Sequence, residues 1–162
     1  MTNARLTRRL LAGAALAIAV PVSTAAAQTR TARIVAADGV QRAITAALAE
    51  AKRQGWNVSI AVVDNSGDLV GFLRMDNASP GSADISQAKA RTAARMKRPT
   101  RALDSTLTAG RVAILGLPGV TPVEGGVPIS INGEIIGAIG VSGATSAQDA
   151  QVAQAGAAAI QP

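Results

Sequence analysis

Histidine, cysteine and tyrosine are all missing from this 162-residue chain, and phenylalanine and tryptophan occur once each, as Phe72 and Trp56. The first three absences exclude an imidazole base, a thiolate nucleophile and a phenolate. Zinc loses its usual nitrogen and sulfur ligands. No disulfide can form, so an oxidising compartment would not stabilise the fold. With aromatics nearly absent, Ala, Val and Ile supply most of the 48% apolar content, alongside 16 Gly. A core of such small residues implies closely spaced elements, with helices lying flat on a sheet.

Residues 1–9 hold three Arg and no acid, Leu10 to Val20 is apolar but too short to span a bilayer, and Ala25-Ala26-Ala27 follows. This is the pattern of a cleavable secretory signal over residues 1–27, with Gln28 first in the mature chain. Periplasmic or secreted protein is the expectation. A lipoprotein is excluded, because there is no Cys to lipidate. Thr7-Arg8-Arg9-Leu10-Leu11 also fits a twin-arginine signal, and an ordinary basic leader with two adjacent Arg remains the alternative. Arg5, Arg8 and Arg9 leave with the leader, so 13 basic and 10 acidic residues remain, a net +3. That mild excess is not the footprint of a nucleic-acid binder.

Residues 28–162 read as one domain of about 135 residues, enough for one sizeable core. Asp38 is the expected cap of a first helix, where Val40, Ile44, Ala47, Leu48 and Ala51 recur at helical spacing and Gly55 ends the run. Val58 to Val63 alternates as a strand, and Leu69 to Arg74 returns after the turn at 65–68. A second helix begins near Ser82, with Ile85, Ala88, Thr92 and Met96 as its expected inner face, and stops at Pro99. Arg111 to Leu117 is assigned as a strand, and the following loop runs through Gly126. Val127 to Ile131 and Ile135 to Ser142 flank Asn132-Gly133, the strongest short hairpin signal in the chain. Ile136, Ala138, Gly140 and Ser142 share a face small enough for a helix or a ligand to approach the backbone closely. Ser146 to Asp149 resembles a capping box for a final Ala-rich helix. Five strands in hairpins make an antiparallel sheet covered by helices.

Several of these segments together resemble the GlcG/HbpS family, whose members include haem-binding proteins and the C-terminal domain of PduO-type cobalamin adenosyltransferases. The matching stretches are VSIAVVD at 58–64, SGDLVGFLRMD at 66–76 and PGSADISQAKARTAA at 80–94. EGGVPI at 124–129 and GEIIGAIGVSGATSAQDAQVAQAG at 133–156 complete the set. The resemblance implies a profilin-like α/β (α+β) fold, assembly into homo-oligomers, and haem or related small-molecule binding. Many relatives carry His in the turn where this chain has Asp68. With no His anywhere, imidazole cannot hold a haem iron here. Met75, Met96, Lys52, Lys89, Lys97 and the Thr92 hydroxyl are the remaining side chains weighed as iron ligands.

Candidate ligand-binding residues follow from position. Arg74, Met75 and Asp76 end the second strand. Glu124, Gly125 and Gly126 precede the fourth, where backbone amides can meet a ligand or the glycines merely shape a turn. Ser142 lies in a glycine-flanked segment with the same two readings. Lys89, with Thr92 one turn on, sits beside the apolar stripe within KARTAA. The wider basic run of Arg91, Arg95, Lys97, Arg98 and Arg101 reads either as anion capture or as a solvated helix face. Asp64, Asp76 and Glu124 would serve as bases only if they converge. Three functions stay open: an exported haem- or small-molecule-binding protein, an enzyme of proton transfer or isomerisation using Lys89, and an oligomeric accessory protein assembled through its last helix.

Overall fold

The computed structural model describes residues 31–161; the expected leader and its cleavage point lie outside the described residues. Helix α1 (Ala37–Gln54) buries Val40, Ala43, Ile44, Ala47 and Ala51 along one stripe. It ends where Gly55 turns left-handed at φ 72° and the amides of Gly55 and Trp56 return to the carbonyls of Lys52 and Ala51, at 3.2 and 3.0 Å. Those paired bonds satisfy carbonyls the helix would otherwise leave open. Asp38 falls inside the first turn rather than at the cap, which is Ala36. Its charge there still complements the helix dipole.

Strands β1 (Ser59–Asp64) and β2 (Leu69–Arg74) form the first hairpin, and β3 (Gly126–Ile131) and β4 (Glu134–Ser142) the second. Asn132 and Gly133 both take positive φ, 53° and 79°, as a two-residue type I′ turn requires. The antiparallel sheet has the order β2-β1-β4-β3. It has four strands, not the expected five. Val112–Gly116 is a 3-10 turn in which Ile114 alone is buried, while Val112 and Leu115 are 66% and 62% exposed. A segment without an alternating buried face has nothing to place against a sheet. Before it, Pro99 caps an unassigned helix, α3 (Thr100–Thr108).

Alternation along β1 sorts the core into two layers. Ile60 and Val62 pack with α1 and α4 (Ser146–Ala158), whereas Ala61 and Val63 pack with Ala90, Ala93 and Ala94 of α2 (Ser82–Met96). Ile136 departs from the expected alternation. Pairing runs Ile129 to Gly137 but Ser130 to Ile135, so Ile136 is the extra residue of a bulge and joins the larger cluster rather than Ala138's.

The inner face of α2 also differs from the expected stripe. Thr92 of the expected stripe is buried, but so are Ser82, Ser86, Lys89, Ala90 and Ala93, whereas Ile85 is 44% exposed. Gly140 admits the helix backbone so closely that only small residues fit between, and this overrides the hydrophobic count. Helix α2 ends on Lys97, itself left-handed at φ 51°. A left-handed residue with a Cβ costs about 1–2 kcal/mol, part of which glycine's extra unfolded-state freedom offsets. Lys97→Gly is therefore expected to raise stability by about 0.5 kcal/mol, read from the urea midpoint, while Lys97→Ala leaves it nearly unchanged.

Helix α4 starts one residue earlier than expected, because Thr145 caps it with Gln148 in a reciprocal box. Asp149 takes no part in that box; its carboxylate turns inward. The small face of α4 (Ala150, Val152, Ala153, Gly156) is buried in the fold against α1 and the sheet, while Gln151, Gln154 and Ala158 face outward.

Glu50 ties the two helices together, accepting from Arg53 and from the amides of Gln54 (3.1 Å) and Gln151 (2.6 Å). The Arg53 hydrogen bond, followed by those of Gln151 and Gln54, lowers the Glu50 pKa from 4.5 to about 2 against the opposing effect of burial. A carboxyl depressed on folding stabilises the native state above its unfolded pKa, and that contribution fades as the pH falls from 4.5 towards 2. Glu50→Gln should thus be less stable than the parent at pH 7, and the two denaturation midpoints should converge near pH 2.

Candidate functional site

Sheet register gathers most of the sequence-selected residues at one end of the molecule. Arg74 pairs with Ser59, Ser59 with Ser142, and Gly126 lies opposite Gly140 two residues before Ser142. Asp68, at the position where many relatives carry His, lies in the turn at the other end of β2. Sharing an end of the sheet does not place these residues in one site, and they divide into three groups.

The first group is buried. Lys89 is 1% exposed, and its Nζ donates to Val141 O at 3.1 Å and Asp149 Oδ2 at 2.8 Å. The other oxygen of Asp149 accepts from the Ala144 amide at 3.0 Å. Burial pushes the Asp149 carboxyl above its ordinary range, opposed by the hydrogen bond and charge of Lys89 and by the Ala144 amide. Gly125, at φ 128°, seals the pair: a Cβ there would lie 2.7 Å from Nζ and 2.8 Å from Val141 O. Thr92 is equally buried, its hydroxyl accepting from the Thr121 amide at 2.9 Å. Thr100 accepts from the Gly126 amide at 2.8 Å. These residues fasten the loop before β3 to α2 and α3. Ser142, 6% exposed, closes β4 beside them.

The second group lines an open cleft of about 330 Å³ at the end of β2. Arg74, Met75 and Asp76 meet Leu48 and Lys52 of α1 there, with Leu73, Asn57 and Asn77. Leu48 and Lys52 are four residues apart, so they stack on one helix face. Met75 is pinned through its backbone: its amide donates to Val58 O (3.1 Å) and its carbonyl accepts from the Ala78 amide (2.9 Å). The cleft thus combines an apolar wall, two cations and one carboxylate.

The third group borders a cleft of about 520 Å³ on α3, where Glu124 joins Arg101, Asp104, Ser105 and Thr108. The Glu124 amide donates to Asp104 Oδ2 at 2.9 Å, and its carboxylate lies 3.7 Å from Arg101 Nε. Arg101 is 73% exposed, so this ion pair contributes little.

Elsewhere, the basic run is divided among separate tasks. Arg91 and Arg95 donate to Gly67 O (3.2 Å) and Ser66 O (2.8 Å), holding the β1–β2 turn. Asp64, Asp76 and Glu124 do not converge: Asp64 accepts from the amides of Ser66 and Asp68, and the other two line different clefts. Among the described residues no cluster of three acidic side chains could hold a metal ion. The reading from sequence missed Asp149 as the partner of Lys89; the Asp in an imperfect capping box was its only local signal. Lys52 had been weighed only as an iron ligand, not as a second cation beside Arg74.

The sequence profile of the family described as "Haem degrading protein HbpS-like" matches residues 35–158, which span every element from α1 to α4. The chain belongs to the HbpS-like family. It is 48% identical to Protein GlcG of Escherichia coli (strain K12) over 99 residues, covering 61% of this chain and 74% of that protein. Among solved structures, a double mutant of Streptomyces reticuli HbpS superposes with a TM-score of 0.77 at 33% identity, covering 88% of this chain and 98% of that one. A PduOC:haem complex superposes with a TM-score of 0.72 at 27% identity, covering 78% of this chain and 95% of that one. The HbpS-like fold thus accounts for both layers of the core and for the end of the sheet at which the candidate residues collect.

Proposed function

We propose that this HbpS-like chain is an exported binding protein for haem, another tetrapyrrole or a small anionic metabolite, working without an imidazole ligand. The observation that carries this reading is the cleft beside β2, where Leu48, Leu73 and Met75 form an apolar wall next to Lys52 and Arg74. Ligand sites commonly combine such a wall with a few placed charges, and a volume near 330 Å³ lies within their range. The family description and the haem complex of a structural relative support a haem-related ligand. Two cations in the lining suit the carboxylates of such a ligand, and His, Cys and Tyr are absent from the chain. The basic, apolar and small-residue order of positions 1–27 supports export to the periplasm or beyond. Homo-oligomeric assembly belongs to the same proposal.

Haemin titrated into the purified protein is expected to give a saturable change in the Soret band. Spectra identical to free haemin at every ratio would overturn the haem version. Native mass spectrometry of protein recovered from the periplasm of its host would then report any other retained ligand together with the oligomer size.

A further inference from the structure

We infer that the cleft at the end of β2 is a site for an acidic amino acid, with Arg74 and Lys52 receiving its two carboxylates and Asp76 its ammonium. The inference rests on the binding-protein reading above and deepens it, since it selects one ligand class from the small anionic metabolites.

Charge decides the class. Most of the residues that line the cleft are polar: Lys52, Asn57, Arg74, Asp76 and Asn77. Lys52, Arg74 and Asp76 stand round it without pairing; the ion pairs among the described residues end instead on Glu50, Asp149 and Glu124. Charged groups gathered at one opening and not neutralised by each other leave two cations and one carboxylate for a ligand. An acidic amino acid at neutral pH carries the opposite set, two carboxylates and one ammonium. A plain dicarboxylate would face Asp76 with a like charge, and a neutral amino acid would leave one cation unmatched.

Local structure holds two of the three groups in place. The Ala78 amide donates to Met75 O at 2.9 Å and closes a turn over residues 75–78, with Asp76 and Asn77 at its tip. Ala78 itself is buried, which anchors the turn in the fold. Arg74 clamps the same turn, its Nε donating to Ala78 O at 3.2 Å. Its two terminal nitrogens are left to meet an anion, and a carboxylate accepts from such a fork through both oxygens. The second cation comes from α1, where Lys52 lies one turn beyond Leu48. Leu48 and Leu73 offer apolar surface to the methylenes between the charged ends, and the amides of Asn57 and Asn77 bring both donors and acceptors. A volume of about 330 Å³ lies at the small end of the range for ligand clefts, as a compact metabolite requires.

Calorimetric titration of the purified protein with L-glutamate and L-aspartate tests the assignment. Each is compared with the matched dicarboxylate that lacks the amine and with the matched side-chain amide, in the parent, Asp76→Asn and Lys52→Gln proteins. Both substitutions fall on exposed side chains outside any ion pair, so the fold is retained. At least one acidic amino acid should bind saturably, and its dicarboxylate and its amide should each bind about tenfold more weakly. Asp76→Asn should weaken the amino acid about tenfold and leave the dicarboxylate unweakened, so that the preference for an amine is lost. Lys52→Gln should weaken amino acid and dicarboxylate about equally. A parent that takes the dicarboxylate as tightly as the amino acid, or an Asp76→Asn protein that keeps the parent's preference, would overturn the assignment while small-anion binding stood. Heat from none of these acids would also overturn it, and the haemin titration then decides separately whether the binding function stands.

Discussion

Lys89→Met is expected to cost the fold about 3–5 kcal/mol, because it strips a buried carboxylate of its cation and leaves the charge in place. Asp149 is 2% exposed and would keep only the Ala144 amide. Burial already pushes its carboxyl upward with Lys89 present, and losing the cation pushes it further the same way. The sign of the pH dependence follows. An acid whose folded pKa exceeds its unfolded value binds its proton more tightly in the native state, so stability is greatest at low pH and falls as the pH rises through that folded pKa. The deficit of Lys89→Met relative to the parent should therefore shrink on acidification, the reverse of the behaviour expected for Glu50→Gln. Lys89→Met/Asp149→Asn removes the stranded charge and keeps an acceptor for Ala144, so it should recover about half of the loss or more. Urea denaturation at pH 7 and at acidic pH checks all three. A single variant as stable as the parent at pH 7 would mean that Lys89 is not the partner that neutralises Asp149.

Gly140→Ala should be nearly as damaging, by about 3 kcal/mol or more, for a purely steric reason. A Cβ at residue 140 would sit 2.1 Å from Ser86 O and 2.4 Å from Ala90 N. Both are backbone atoms of α2, so no side chain can swing aside. The helix would have to lift from β4, opening the layer of Ala61, Val63, Ala90, Ala93, Ala94 and Ala138 to water. Gly116→Ala is the matched control, since nothing lies within 4 Å of its Cβ position, and it should stay within about 0.5 kcal/mol of the parent. Loss of the thermal transition in one variant and its retention in the other would separate close helix–sheet contact from a general intolerance of added methyl groups.

Such sensitivity follows from a core of small residues, and that trait is legible in composition. So are the features decided within a few residues. Gly55 ends α1 because only a left-handed residue closes that helix, and Asn132-Gly133 turns the second hairpin because both positions need positive φ. Alternation placed Ile60 and Val62 on one face of β1, and the two core layers agree. The resemblance to the family supplied the fold class, and the profile match over residues 35–158 covers the same span.

Other features depend on partners far along the chain. Apolar spacing on α2 pointed to Ile85, yet contact with Gly140, more than fifty positions away, turned Ser86 and Ala90 inward. The strand assigned to Arg111–Leu117 failed because no sheet edge has a use for it, a condition that local propensity does not contain. Lys89 stood out as a ligand-binding candidate beside the apolar stripe, but the fold sets it against Asp149, sixty residues later. Arg74, Met75 and Asp76 were chosen from their place at a strand end, but only the packing of α1 beside β2 added Leu48 and Lys52 and made a cleft of them. By itself the sequence determined the stop of α1, the Asn132-Gly133 turn and the faces of β1, because those are settled by interactions within a few residues. The tertiary structure decided which helix face turns inward, which charge is neutralised and where a ligand can enter, because each depends on atoms that only the folded chain brings together.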